Sequence, residues 1–162
     1  MTVKVRFLGS GDAFGSGGRL HTCILIDGET KRYLVDCGPS ALSAMHRDGI
    51  DPNSIDAILL THLHGDHYGG VPFFTLAAQL MSRREAPLTI AGPPGTAARL
   101  DVLAEALFPK MTEIKYRYEQ NVIEYDLGVA NHIAGVVVTP YEANHSPESI
   151  PQALRIECDG KI

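Results

Sequence analysis

The chain is poor in cysteine: Cys23, Cys37 and Cys158 are the only three in 162 residues, too few and too scattered for a disulfide framework. Each lies beside strand-like apolar sequence, so buried free thiols are expected, and with them a cytoplasmic location. No apolar run approaches the roughly 18 residues of a membrane span. No export signal is expected, since Met1 leads straight into Val3-Lys4-Val5-Arg6-Phe7. Positive charge is in deficit, with 14 Lys and Arg against 19 Asp and Glu for a net charge of −5. A broad phosphate-binding surface is thereby disfavoured, and a nucleic-acid substrate would need a local basic patch or contacts from elsewhere. No repeat, low-complexity tract or linker divides the chain. With 44% hydrophobic and 20% charged residues, positions 1–162 are expected to form one soluble domain with a sizeable core.

The pattern along the chain alternates strands and helices. Residues 3–8 alternate apolar and charged side chains, as a half-buried strand does. Residues 23–26 and 33–35 flank Gly28-Glu29 and predict a hairpin. A short helix is expected over 40–48, stopping at Gly49, and a buried strand over 57–60. Val71, Phe73, Phe74, Leu76, Ala77, Leu80 and Met81 fit a helical face with Pro72 in its first turn and Arg83-Arg84 near its end. A strand at 88–91, a tight break at Gly92-Pro93-Pro94-Gly95 and an amphipathic helix over 96–107 follow. Later segments read as β: 115–118, 122–126, 136–139 and 153–157.

The chemistry concentrates in Thr61-His62-Leu63-His64-Gly65-Asp66-His67, three imidazoles and a carboxylate within six residues at a strand end. In extended geometry His62 and His64 project to one side, because side chains alternate with a period of two. Neutral imidazole suits zinc, manganese or iron, and a nearby carboxylate can bind a second ion or take a proton from water. Such a pattern arises by chance at this composition roughly once in a thousand chains, so a solvated polar loop is the weaker reading. Phe7-Leu8-Gly9-Ser10-Gly11-Asp12-Ala13-Phe14-Gly15 lacks the ending of a P-loop and misses the dinucleotide spacing by one residue. Its glycines are expected to permit a sharp turn beside a metal pocket. Asp36, ending a strand before Cys37-Gly38, either orients a metal-bound histidine through its free ring nitrogen or serves as a turn carboxylate. His21 is a candidate pocket wall, whereas His46 and His132 are expected at the surface or in structural roles.

Taken together, Phe7-Leu8-Gly9-Ser10-Gly11, Val35-Asp36-Cys37-Gly38, the block 61–67 with Tyr68-Gly69-Gly70, and Gly92-Pro93-Pro94-Gly95 resemble the metallo-β-lactamase superfamily, most closely its ribonuclease Z branch. The resemblance implies an α/β (α+β) fold, the αββα sandwich, of which this sequence matches the N-terminal part. It also implies that His62 and His64 bind one zinc, that Asp66 and His67 bind a second, and that His145, after a long β segment, is the next ligand. Mn2+ or Fe are the other candidate ions. Departures are a Gln152-Ala153-Leu154-Arg155 stretch where that branch tends to carry Gly-Tyr-Arg, and two later ligands, a bridging aspartate and a final histidine, that fall outside these residues. A truncated domain is therefore expected, weakly active or inactive alone, with homodimeric self-association through its unfinished sheet. The function implied is metal-dependent hydrolysis, with Asp66 catalytic and a small-molecule or RNA phosphodiester as substrate. Alternatives are hydrolysis of another ester, a sulfate or a thioester, a non-catalytic binding or assembly module, and an iron redox protein.

Overall fold

The computed structural model describes residues 2–162. Strands β1 (Lys4–Gly9), β2 (Cys23–Asp27), β3 (Arg32–Val35), β4 (Ala57–Leu59), β5 (Leu88–Gly92) and β6 (Gln120–Glu124) form one sheet in sequential order. The first three pair antiparallel, including the expected hairpin, and the rest pair in parallel. Parallel strands need crossovers that place helices on a face, supplied by α1 (Ala41–Arg47), the single turn α2 (Gly65–Tyr68), α3 (Val71–Leu80) and α4 (Thr96–Leu107). A second sheet of three antiparallel strands, β7 (Asn131–Ile133), β8 (Val136–Glu142) and β9 (Gln152–Glu157), lies against the first. Two apolar clusters hold these layers. Leu25, Leu34, Ile58, Leu60 and Ile90 pack with Ala44, Met45, Val71, Phe74 and Leu100 of the helices. Tyr33, Leu59, Ala91 and Tyr125 pack with Ile133, Val136 and Val138 of the smaller sheet. The layering is α, β, β; among the described residues no α-helix follows β6.

Central β4 is buried at every residue, as expected of a strand covered on both faces. Pro140 sits inside β8 without breaking it, because β7 pairs only with residues 136–138 and leaves no N–H wanted at 140. Arg84, expected near a helix end, is 1% exposed. Its guanidinium donates to the carbonyls of Ala86, Pro52, Asn53, Ile55 and Pro87 and lies 5.7 Å from the centre of the Tyr118 ring. It ties three loops behind the sheet.

Several local expectations need correction. Residues 115–118 are not a strand: the Gln79 side chain bonds the Lys115 carbonyl and the Arg117 N–H, replacing a neighbouring strand, while Tyr116 and Tyr118 turn to the core. The last β segments begin earlier or run longer than expected, and β7 carries no strong alternation. In β1 the alternation is present, but Val5 and Phe7 are 58% and 67% exposed, so the strand is not half-buried. On α3 the buried stripe is Val71, Phe74, Thr75 and Ala78, and Phe73, Leu80 and Met81 face outward. The three cysteines are free and buried; burial pushes the Cys23 thiol up to about 12.

Candidate metal centre

The histidine block leaves the end of β4, crosses the sheet edge and enters α2. Two close approaches pin α2 to the segment after β3: the Cys37 N–H donates to the His67 carbonyl at 2.6 Å, and the Gly70 N–H to the Cys37 carbonyl at 2.8 Å. Gly38 is required there, since a Cβ would collide with the Asp66 carbonyl and the His21 side chain. His145 arrives from the loop after β8. That loop is stitched to the block by Leu63 N–H to Ser149 O at 2.8 Å and Gln152 N–H to Thr61 O at 2.9 Å.

All five residues predicted from sequence, His62, His64, Asp66, His67 and His145, line one open cavity of about 740 Å3, with His21, Asp12 and Phe14 on its other walls. His62, His64 and His145 each bring one ring nitrogen to within 4.8 Å of the others. His64 Nδ1 and His145 Nε2 are 3.2 Å apart; two nitrogens bound tetrahedrally at the usual zinc distance would be separated by about 3.3 Å. His67 lies next to them, its ring centre 3.9 Å from that of His62 and its Nε2 3.3 Å from Asp66 Oδ2. The structure thus gathers three imidazoles into one group that could hold a metal ion and leaves the Asp66–His67 pair beside it.

One buried carboxylate sets the ring orientation of two histidines. Asp36, 2% exposed, has φ 59°, a left-handed conformation that Asp tolerates better than most residues. It accepts the Thr61 N–H at 2.8 Å, the Thr61 hydroxyl at 2.9 Å and His67 Nδ1–H at 2.6 Å. A carboxylate only accepts, so the Thr61 hydroxyl proton goes to Asp36 and the Thr61 oxygen receives Nδ1–H of His62 at 2.9 Å. In their neutral forms both rings are therefore left with a bare Nε2. In His62 that atom is buried and has no hydrogen-bond partner, an arrangement that costs free energy unless a cation or donor reaches it. The donor set and this orphaned nitrogen fit a divalent ion such as zinc. Burial, then repulsion from His67, push the His62 pKa down to about 4, keeping the ring neutral as ligation needs. Burial opposes charging of His67, but the hydrogen bond and charge of Asp36, with Asp66, outweigh it and raise its pKa.

Of the two roles the sequence leaves open for Asp36, the structure shows a contact with the free ring nitrogen of a histidine, His67 Nδ1 at 2.6 Å, together with the turn-closing bond from the Thr61 N–H. Sequence reading gave Thr61 no role, although a hydroxyl between a strand end and the first histidine was a usable signal. His21 lines the cavity, its Nδ1 3.1 Å from the Ser40 hydroxyl, while His46 and His132 are exposed.

Residues 3–161 match the family model described as Anti-Pycsar protein Apyc1. Ribonuclease Z of Methanosarcina acetivorans is 30% identical over 152 residues, covering 94% of this chain and 48% of that protein. Ribonuclease Z of Methanothermobacter thermautotrophicus is 35% identical over 144 residues, covering 89% and 45%. Among solved structures, the short form of human tRNase Z superposes with TM-score 0.72 at 22% identity, covering 98% of this chain and 66% of that one. The metallo-β-lactamase fold protein YhfI of Bacillus subtilis gives 0.71 at 21%, covering 95% and 57%. The chain spans about half the length of these two curated relatives. The solved structures show the metallo-β-lactamase fold, the sequence is similar to ribonuclease Z, and the match over residues 3–161 settles the family: the chain belongs to the family described as Anti-Pycsar protein Apyc1.

Proposed function

We propose that these residues carry the metal centre of a zinc-dependent hydrolase acting on phosphodiester bonds, in RNA or in a small molecule. The observation that carries the reading is the convergence of His62, His64 and His145 around the partnerless Nε2 of His62. These three hold one ion, and Asp66 with His67 hold a second. A divalent cation supplies Lewis acidity, polarising a phosphoryl oxygen and acidifying a nucleophilic water. The protein's own contributions are positional and protonic. Asp36 and Thr61 present the two Nε2 lone pairs, and such outer contacts are worth about 10- to 100-fold in metal affinity. Asp66 stands at the cavity wall with a carboxylate that can orient the attacking water and take its proton. The ribonuclease Z relatives support phosphodiesters over other esters, sulfates and thioesters.

The 162 residues alone are proposed to turn over weakly or not at all, with the second ion held by the two side chains of the Asp66–His67 pair. Residues 1–162 are proposed as one domain, in accord with two clusters sharing one sheet. Self-association is supported by β9 at the edge of its sheet and by exposed Val5 and Phe7. No helix of the described residues is long and apolar enough to cross a membrane, and the free thiols favour a cytoplasmic setting. The family description adds opposition to Pycsar as the biological setting for the hydrolysis. The test is cleavage of a phosphodiester, a carboxylic ester, a thioester and a sulfate ester with and without zinc. Zinc-dependent phosphodiester cleavage, however slow, that is lost in Asp66→Ala supports the proposal; a preference for another ester, cleavage indifferent to zinc, or failure of the protein to bind zinc overturns it.

A further inference from the structure

Between β1 and β2 the chain makes a loop whose ends are tied by the Gly11 N–H donating to the Leu20 carbonyl at 2.7 Å. Its interior is organised by Asp12, whose Oδ1 accepts the N–H groups of Phe14 at 3.1 Å and Ser16 at 3.0 Å. Arg19 Nε closes the far side onto the Ser16 carbonyl at 3.2 Å. This network holds the backbone from which the Phe14 side chain departs. The ring itself touches almost nothing of its own protein: Phe14 is 91% exposed. An isolated exposed apolar residue is ordinary on a protein surface. Phe14 differs in its place, because it forms a wall of the cavity that also contains His62, His64, Asp66, His67 and His145.

We infer that Phe14 is a substrate-positioning residue, presenting its ring as a stacking surface for a nucleobase next to the phosphodiester held at the histidines. The inference rests on the phosphodiester reading and deepens it, assigning to the substrate an aromatic base. A phosphodiester gives the metal centre only charge and oxygen to recognise, and the chain's net charge of −5 offers little general attraction for it. A flat apolar ring at the rim supplies the missing affinity. Aromatic faces attract any base, since each base has a π-face, so this contact selects nucleotides as a class without selecting among them. The loop network limits the ordering cost of binding, because the segment is already closed by its own hydrogen bonds.

The sequence contains no tryptophan, so Phe14→Trp installs the sole indole at the position in question, excited selectively at wavelengths the six tyrosines do not absorb. With zinc supplied, adenosine and uridine 5′-monophosphates are expected to quench it at concentrations where ribose 5-phosphate does not. Phe14→Ala is expected to lose about 5- to 150-fold in nucleotide affinity, falling to the level of ribose 5-phosphate, while Phe14→Tyr retains most of it. Equal quenching by ribose 5-phosphate, or unchanged nucleotide affinity in Phe14→Ala, overturns the inference. Zinc content of the same samples separates the two readings: zinc bound without base discrimination overturns the role of Phe14 alone, and zinc not bound overturns the metal centre and the stacking role with it.

Discussion

Replacing Asp36 by Asn tests whether one carboxylate dictates the state of the histidines. The amide oxygen can still accept from Thr61, but the amide nitrogen must occupy the place of Oδ2, which lies 2.6 Å from His67 Nδ1. An NH2 group facing that atom requires Nδ1 to be bare. His67 is thereby driven to carry its proton on Nε2, the atom that faces Asp66. Loss of a hydrogen bond to a charged group costs about 1.5–3 kcal/mol, corresponding to a Tm lower by about 3–12 °C for a protein of this size. Asp36→Ala costs more, about 3–5 kcal/mol, because it breaks a buried charged pair and strands the Thr61 N–H as well. Long-range 1H–15N NMR of the imidazoles at pH 8.5, on chelator-treated protein, reads the tautomers directly. His67 should be the Nδ1–H form in the parent protein and the Nε2–H form in a folded Asp36→Asn variant. A variant that folds and keeps Nδ1–H on His67 would refute the reasoning, whatever happens to its stability.

Other perturbations probe the scaffold. Arg84→Met leaves five carbonyls without their donor and should destabilise the fold by about 3–5 kcal/mol, measured by urea unfolding; a loss under 1 kcal/mol would show that water replaces the guanidinium. Gly38→Ala forces α2 away from the β3 segment at a cost of about 1–3 kcal/mol, and its NMR signature should be displaced His67 resonances. Alkaline pH should weaken the fold. Cys23 titrates near the ordinary 9.0 when unfolded and at about 12 when folded, so above pH 9 the unfolded state sheds a proton that the folded state keeps. Stability is whole below pH 9 and falls by about 1.4 kcal/mol per pH unit between 9 and 12 for this thiol. Urea midpoints at pH 8 and 10.5 check it, and equal stability at both would contradict the burial of that thiol.

Where function could be read from the sequence, the signal was local. The spacing of His62, His64, Asp66 and His67 lies within one strand end and one helical turn, so the local pattern marks that block by itself, whereas His145, 78 positions after His67, is singled out only by the family resemblance. The control exerted by Asp36 was only half legible, because it acts across 25 positions and depends on the parallel pairing of β3 with β4. Arg84 illustrates the same limit: nothing in its neighbourhood announces that carbonyls from residues 52–55 converge on it. Residues 115–118 alternate like a strand, yet a single glutamine side chain claims their backbone. Val5 and Phe7 show the converse case: the apolar alternation of β1 is real, but both side chains stay exposed, so alternation alone does not tell a covered strand face from an open one.

The central claim is that three rings from two distant segments share one cation. Zinc affinity and stoichiometry of the parent protein, His62→Ala and His145→Ala, measured by competition with a chromophoric chelator and by elemental analysis, address it most directly. Bound zinc in the parent, weakened at least about 100-fold in either variant, is the expected result. Equal zinc retention in all three proteins would contradict it.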